Sequence, residues 1–186
     1  MSTTKYSNKF YASDADVSFL SSDKVVFQLH RKYLEATCGA FPSAEFETRG
    51  EQVPLTEDAE TLEVLFQFVY PRRHPDLKST PFELLSRVAE AAEKYEVFAA
   101  MNVCKYRMEC VHLDLISQCS PTLIFHGGNY RIMSPQHHKE VFIYAMKHGH
   151  KDIMANTAPP LLDVPLDEMA KILTPHHIVP WASGFR

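Results

Sequence analysis

His30 and Cys38 are the residues whose types and spacing could perform chemistry, since both lie in "FQLHRKYLEATCGAF", residues 27–41. A cysteine nucleophile needs a base within hydrogen-bonding reach and usually a third group that orients the base. No glycine-rich elbow or oxyanion feature accompanies this pair. We therefore expect that His30 caps or bonds backbone where a strand meets a helix, and that Cys38 packs as a small apolar residue. A small Cys/His hydrolase is the alternative, but we expect no enzyme and assign no catalytic residue.

The ten histidines are potential metal ligands, but their spacing does not match a known metal site. Neither HExxH nor CxxC occurs. We expect the histidines of "HGH" at 148–150 and of the pairs 137/138 and 176/177 to be exposed at turns and helix ends. The dipole at a helix C-terminus suits His148 and His176. The glycines of "FHGGNY" lack a phosphate-binding pattern. Glu57 and Asp58 are expected as solvated residues at a helix start, and we expect neither a metal nor a cofactor.

Composition narrows the class of protein. The 186 residues are 45% hydrophobic and 23% charged, which are ordinary values for a packed domain. The net charge is −4 and no run of four Lys or Arg occurs, which argues against nucleic-acid binding and a polybasic membrane anchor. No apolar run is long enough to span a membrane. Four cysteines are too few for a disulfide scaffold and no secretory signal is evident. We expect an intracellular protein, either cytoplasmic or nuclear.

The periodicity of apolar residues predicts a β-hairpin that leads into helices. "DADVSFLSSDKVVFQLH" alternates as two strands around the turn "SSDK", and "RKYLEAT" follows as a short helix. "AFPSAEF" is expected as another helical turn. "EQVPL" is expected as an edge strand because Pro54 lacks a backbone donor. "TEDAETLEVLFQFVY" has the apolar spacing of a helix.

Two further helices complete the predicted first domain. Thr80, Pro81 and Glu83 match a capping box, with Thr80 as the N-cap and Pro81 as the first helical residue. A third helix follows from the spacing of Val97, Met101, Cys104 and Met108. The order of elements predicts an α+β domain over residues 10–110.

The remaining chain is predicted to contain an irregular segment and a helical extension. Residues 111–133 have weak periodicity, and they are either an inserted loop or a retained intron that is read in frame. Residues 134–186 are expected to contain one or two helices after Ser134, with "HGH" as a turn, and a short helix that starts at Pro165.

A set of residues with matching type and spacing resembles the BTB/POZ signature. The residues that match are Asp16, Val17, Phe27, His30, Arg31, Leu34 and Phe41. Cys38 stands where that family usually has Ser, and the next helix ends in an aromatic residue, Tyr70. The sequence stretches "FVYPRRHPDL", "VAEAAEKYEVFAAMN" and "VPW" are similar to stretches of the BTB proteins expanded in mushroom-forming fungi.

The resemblance implies a non-catalytic module for protein–protein interaction that self-associates or recruits a partner. It implies a small, mainly three-stranded sheet flanked by about five helices, followed by the helical extension. Asp16 and Arg31 match a charged pocket near the interface of dimeric members, and His30 would help to organise it. A buried Asp16 would need a cationic partner. The alternative is a substrate adaptor of a cullin-3 ubiquitin ligase, although Glu83 in the approximate motif "PFE" is better explained as a capping residue.

Overall fold

The computed structural model describes residues 5–41, 52–119, 135–162 and 164–173. The chain divides into two compact units after Lys105. This division falls inside one helix, α4 (Phe98–Cys119). The domain limits expected from the sequence therefore stay predictions, and the two units are described separately.

The first unit contains a four-stranded mixed sheet. Its strands are β1 (Lys5–Tyr6), β2 (Val17–Leu20), β3 (Val25–Leu29) and β4 (Gln52–Pro54), in the order β1-β3-β2-β4. β2 and β3 form the predicted antiparallel hairpin, with Phe19 opposite Phe27. β4 runs parallel to β2 at the edge, as predicted from Pro54. β1 runs parallel to β3. It is a fourth strand, whereas the expected sheet had mainly three.

The turn of the hairpin is tied to the start of a helix. Lys24 takes a positive φ of 67°, and the backbone N–H of Val25 donates to Ser21 Oγ at 2.9 Å. Asp23 Oδ1 accepts from Ser21 Oγ at 2.6 Å and from the backbone N–H of Ala59 at 2.9 Å. The turn therefore supplies a carboxylate to the N-terminus of helix α2 (Ala59–Leu65), where a negative charge is favourable.

The first unit also contains helices. They are α1 (Arg31–Thr37), α2, α3 (Phe82–Lys94) and the start of α4. After α2 the chain tightens into a 3₁₀ turn, Phe66–Phe68, so the helix expected through Tyr70 is α-helical only in its first part. Phe66 is fully buried, and the rings of Phe10, Phe19, Phe27 and Phe41 lie around it, with centroids 5.4–6.2 Å from its own. The core is therefore strongly aromatic.

The predicted capping box is wrong. α3 begins at Phe82, and Pro81 is its N-cap, with extended backbone and no side-chain cap bond. Glu83 therefore stands at the second helical position, one residue too early to reach back to the cap. Thr80 instead belongs to the preceding turn, where its backbone N–H donates to Leu77 O at 3.3 Å.

Helix α4 continues farther than the sequence led us to expect. Irregular structure was predicted from residue 111, but the helix runs to Cys119. No Gly or Pro interrupts "VHLDLISQC", residues 111–119, so nothing in this stretch ends a helix even though its apolar spacing is weak. Residues 120–133 lie outside the described part of the chain, as does most of the helical turn expected in "AFPSAEF".

The second unit is helical. Besides the end of α4 it contains α5 (Pro135–His148), α6 (Lys151–Thr157), a 3₁₀ turn (Pro159–Leu161) and α7 (Leu166–Ile172). Gly149, at φ 74°, makes the predicted turn between α5 and α6. Pro165 is the N-cap of α7 rather than its first residue. The core of this unit consists of Phe142, Met146, Ala158, Leu161, Met169 and Leu173.

Candidate functional site

The strand–helix corner is the place where β3 ends and α1 begins. Leu29 is fully buried at the end of β3, and Leu34 is buried in α1. His30 stands between the two elements with extended backbone, at φ −108° and ψ 121°. The two leucines anchor the corner in the core, so His30 and Arg31 are held at its outer side.

The ring of His30 bonds two other side chains rather than backbone. Nδ1 lies 3.0 Å from the hydroxyl of Tyr70, and Nε2 lies 3.2 Å from Asp14 Oδ1. His30 is the N-cap of α1 but makes no side-chain cap bond, so the expected capping role is wrong. The ring instead joins Asp14, in the loop before β2, to Tyr70, two residues after the 3₁₀ turn.

The pKa shifts of Tyr70 and Asp14 fit a structural role for these side chains better than a role as nucleophile. Burial raises the pKa of Tyr70, so the phenol stays protonated and can donate to Nδ1 of His30. When Nδ1 of the neutral imidazole accepts from Tyr70, the ring proton lies on Nε2, which then donates to Asp14. The pKa of Asp14 is lowered, first by a hydrogen bond with its own backbone and then by His30. A tyrosine nucleophile would need the opposite shift.

Asp16 caps the start of helix α1 with its side-chain carboxylate. Its Oδ1 accepts from the backbone N–H of Arg31 at 2.7 Å, which satisfies one of the unpaired donors of the helix start. The Arg31 Nε lies 3.5 Å from the backbone oxygen of Asp16. Asp16 is exposed, so the idea of a buried carboxylate that requires a cationic partner does not apply here.

Cys38 has a packing role in the described part of the chain. It is buried, forms an isolated β-bridge with Val97, and its Sγ lies 3.4 Å from Thr37 Oγ1. Burial raises the pKa of this thiol, which disfavours the thiolate. The ring nitrogens of His30 are bonded to Tyr70 and Asp14, so the structure does not pair this histidine with Cys38.

The remaining residues of the sequence signature lie in or against the core. Val17, Phe27 and Leu34 are buried. Phe41 stacks on Tyr95, with ring centroids 4.5 Å apart and planes at 9°. Tyr70 differs from these residues because its hydroxyl takes part in the corner while its ring faces other aromatic groups.

A tyrosine ledge, formed by Lys32, Tyr33, Tyr70 and Arg72, lies beside the corner and was not predicted. The rings of Tyr33 and Tyr70 have centroids 4.9 Å apart. Lys32 Nζ lies 4.9 Å from the centroid of Tyr33, and Arg72 Cζ lies 5.5 Å from that of Tyr70. The neighbours "KY" and "YPR" are the only sequence signal, and the two stretches are brought together only by the fold.

Glu57 belongs to a second cluster that the sequence did not reveal. Its carboxylate accepts from Lys94 Nζ at 2.8 Å and from the hydroxyl of Tyr95 at 2.5 Å. Burial opposes its ionisation, but hydrogen bonds from Lys94, Tyr95 and Thr56 outweigh burial, and the pKa of Glu57 is lowered. The expectation of a solvated Glu57 is wrong. Asp58 is the N-cap of α2 and accepts from Thr61 N–H at 2.8 Å.

Histidines of the second unit lie near one another at the turn between α5 and α6. The rings of His148 and His150 lie 4.9 and 5.4 Å from that of Tyr144. Within the residues that the structure describes, no three His, Cys, Asp or Glu side chains converge as metal ligands.

In the described part of the chain, no helix is long and apolar enough to cross a membrane.

Comparisons with known proteins leave the family open. No protein-family model matches the chain. No curated protein matches its sequence. The resemblance to BTB/POZ proteins therefore stays a prediction, and the geometry of the first unit carries the functional argument.

Proposed function

We propose that the chain is a BTB/POZ-like, non-catalytic module for protein–protein interaction, which acts by self-association or by recruiting a partner. The observation that carries this proposal is an exposed aromatic pair at the edge of the sheet. Tyr6 is 42% exposed and Tyr11 is 61% exposed, and their rings meet edge to face with centroids 5.0 Å apart. Exposed aromatic side chains with polar tips are typical of interfaces.

The position of Tyr6 supports the same proposal. It lies in β1, an outer strand of the described sheet, and β1 pairs with β3 on its inner side. An outer strand offers backbone donors and acceptors to another chain. Tyr6 and Tyr11 therefore combine apolar area with backbone groups that can pair, as strand addition by a partner requires.

The chemistry of the corner also favours binding over catalysis. The pKa values of Cys38 and Tyr70 are both raised by burial, whereas a nucleophile is activated by a lowered pKa or an adjacent base. Asp14, Asp16 and His30 are engaged in contacts that fix the corner.

The role of a cullin-3 adaptor receives less support. In the approximate motif "PFE", Phe82 is only 5% exposed, so its side chain contributes to the core of the first unit. Copurification with cullin-3 tests this alternative, and a stable complex would favour it over general self-association.

The proposal is tested with the full chain and a Tyr6→Ser/Tyr11→Ser variant. Light scattering gives the mass across a range of concentrations, and quantitative pull-down from cell extract gives the partners. We expect either an oligomer or a specific partner, and a loss of at least about tenfold in that association in the variant. The matched control is Phe98→Ser, which changes a side chain that is 53% exposed on α4. A monomer without a partner, or an association that the tyrosine variant leaves intact, contradicts the proposal.

A further inference from the structure

The tyrosine ledge presents two cations that form no ion pair within the described part of the chain. Lys32 and Arg72 are both exposed, and neither takes part in an ion pair there. Arg87 and Lys94, by contrast, bind carboxylates at 2.7 and 2.8 Å. The chain as a whole carries a net charge of −4, so the ledge differs in sign from the rest of the molecule.

The aromatic rings hold these cations in defined positions. The guanidinium of Arg72 lies 5.3 Å from the ring centroid of Phe10 as well as 5.5 Å from that of Tyr70. A guanidinium that rests on aromatic faces can keep its N–H edges directed outward, where they can bind a carboxylate in a bidentate manner. The ring contact also reduces the rotamer freedom that binding would otherwise remove.

The acidic side chains around the corner and on α1 have contacts of their own. Asp14 is bound by His30 Nε2, and Asp16 accepts from the backbone of Arg31. Asp14 is close enough to Lys32 for its pKa to be lowered slightly by that cation. Glu35 lies one turn farther along α1 and has contacts of its own. Arg73, which is exposed, adds positive charge beside Arg72.

We propose that the tyrosine ledge binds an acidic peptide segment of a partner protein. The proposal rests on the interaction function proposed above and names the chemistry of the partner. Carboxylates of the segment pair with Arg72 and Lys32, and its backbone or apolar groups lie over Tyr33 and Tyr70. A nucleic acid fits less well, because phosphate-backbone binding uses an extended set of cations and the chain has no such run.

The test uses fluorescence anisotropy with a labelled peptide of alternating Glu and Gly, and with the same peptide in which Gln replaces Glu. The full chain should bind the Glu peptide, and binding should weaken with salt because the contacts are exposed. Lys32→Gln/Arg72→Gln should bind about tenfold more weakly, as expected for the loss of two exposed charge pairs. Arg72→Lys should give a smaller loss because it keeps the charge but not the planar fork.

A matched control removes two exposed cations elsewhere, in Lys78→Gln/Lys151→Gln. Equal affinity in the two double variants, equal binding of the Glu and Gln peptides, or no binding by the wild type overturns the ledge proposal. Stronger competition by a single-stranded oligonucleotide or by phosphatidylserine vesicles than by unlabelled Glu peptide also overturns it. Light scattering measures self-association independently of peptide binding, so failure of the ledge proposal can be distinguished from failure of the function proposed above. Self-association that persists without peptide binding refutes only the ledge, whereas a wild type that neither self-associates nor binds a partner, or an association that Tyr6→Ser/Tyr11→Ser leaves intact, refutes the function itself.

Discussion

Tyr70 serves two neighbouring structures through two parts of one side chain. Its hydroxyl lies 3.0 Å from His30 Nδ1, and its ring supports Arg72 and packs against Tyr33. The hydroxyl therefore fixes the corner and the ring forms the ledge. A substitution that removes the hydroxyl alone can separate these contributions.

Tyr70→Phe is expected to lower the free energy of unfolding by about 1 kcal/mol, because it deletes one partly buried hydrogen bond and leaves the ring. Urea denaturation measures the loss. Affinity for the Glu peptide should stay within about twofold of the wild type, since the cation–ring contacts remain. Tyr70→Leu removes both parts and should weaken peptide binding as well. An equal effect of the two substitutions on binding would contradict the separation.

Cys38 is expected to react slowly with iodoacetamide in the folded protein. Burial raises the pKa of its thiol, and the thiolate is the reactive form. Mass spectrometry of the alkylated peptides over a range of pH values gives the rate, and the half-buried Cys110 is the internal comparison. Rapid alkylation of Cys38 at neutral pH would instead support the thiol hydrolase.

Glu57 makes stability depend on acid pH. Its pKa is lowered in the folded protein, so its contribution is fully present above the unfolded value of 4.5 and is lost as the pH falls through the folded pKa. Glu57→Gln should therefore be less stable than the wild type at neutral pH, and the difference should shrink towards about pH 3. Urea denaturation at both pH values provides the measurement. Asp76→Asn, at an exposed carboxylate, is the control, and an equal narrowing there would refute the assignment to Glu57.

At the scale of the elements, Phe66 connects the 3₁₀ turn to the hairpin. Phe66→Ala is expected to destabilise the first unit by about 3–5 kcal/mol, because it removes a fully buried ring surrounded by other rings. Denaturant unfolding followed by circular dichroism measures the loss. Phe98→Ala, at a ring that is 53% exposed, should change stability by less than about 1 kcal/mol. Similar losses of unfolding free energy in the two variants would show that Phe66 is not central to the core of the first unit.

The elements that the sequence predicts well are those with a long periodic signal or strong turn chemistry. The hairpin, the edge strand with Pro54 and the turn at Gly149 are confirmed. β1 has only two residues, too few to show alternation. The start of α3 was misplaced because Pro81 fits both an N-cap and a first helical position. The choice between them depends on the preceding turn at Leu77, which adopts a positive φ of 54°.

The candidate site was only partly predictable because its contacts join distant parts of the chain. His30 was named from its place where a strand meets a helix, and Asp16 and Arg31 were named from the resemblance to the BTB/POZ signature. The partners of His30 could not be named, since Tyr70 lies forty residues away in sequence. Glu57 looked like an ordinary helix-start residue, and its burial depends on where the end of α3 places Lys94 and Tyr95. Local patterns indicate which residues reach a corner, and the packing of helices decides what they bind there.

At the scale of the whole molecule, each unit has apolar residues of its own. In the second unit Phe142 is fully buried among side chains of α5, α6, α7 and the 3₁₀ turn. Units with separate cores can open separately. Phe142→Ala is therefore expected to increase hydrogen exchange in α5–α7 while the amides of β2 and β3 keep their protection.

Hydrogen exchange measured by mass spectrometry tests this expectation. Leu162→Ala is the control because that side chain is 40% exposed. An equal loss of protection in the β2–β3 hairpin would show that the two units unfold as one.

The mixed sheet also has a consequence for the order of folding. β2 and β3 adjoin in sequence across a tight turn, whereas β1 and β4 join them in parallel pairings between residues far apart in the chain, such as Lys5 with Val25 and Ser18 with Gln52. Closing a long loop costs more chain entropy than closing a short one, and hairpins form within microseconds. The hairpin is therefore the natural nucleus. β1 has only two residues and lies at the edge of the described sheet, so it is the strand that a second chain could most easily replace during assembly.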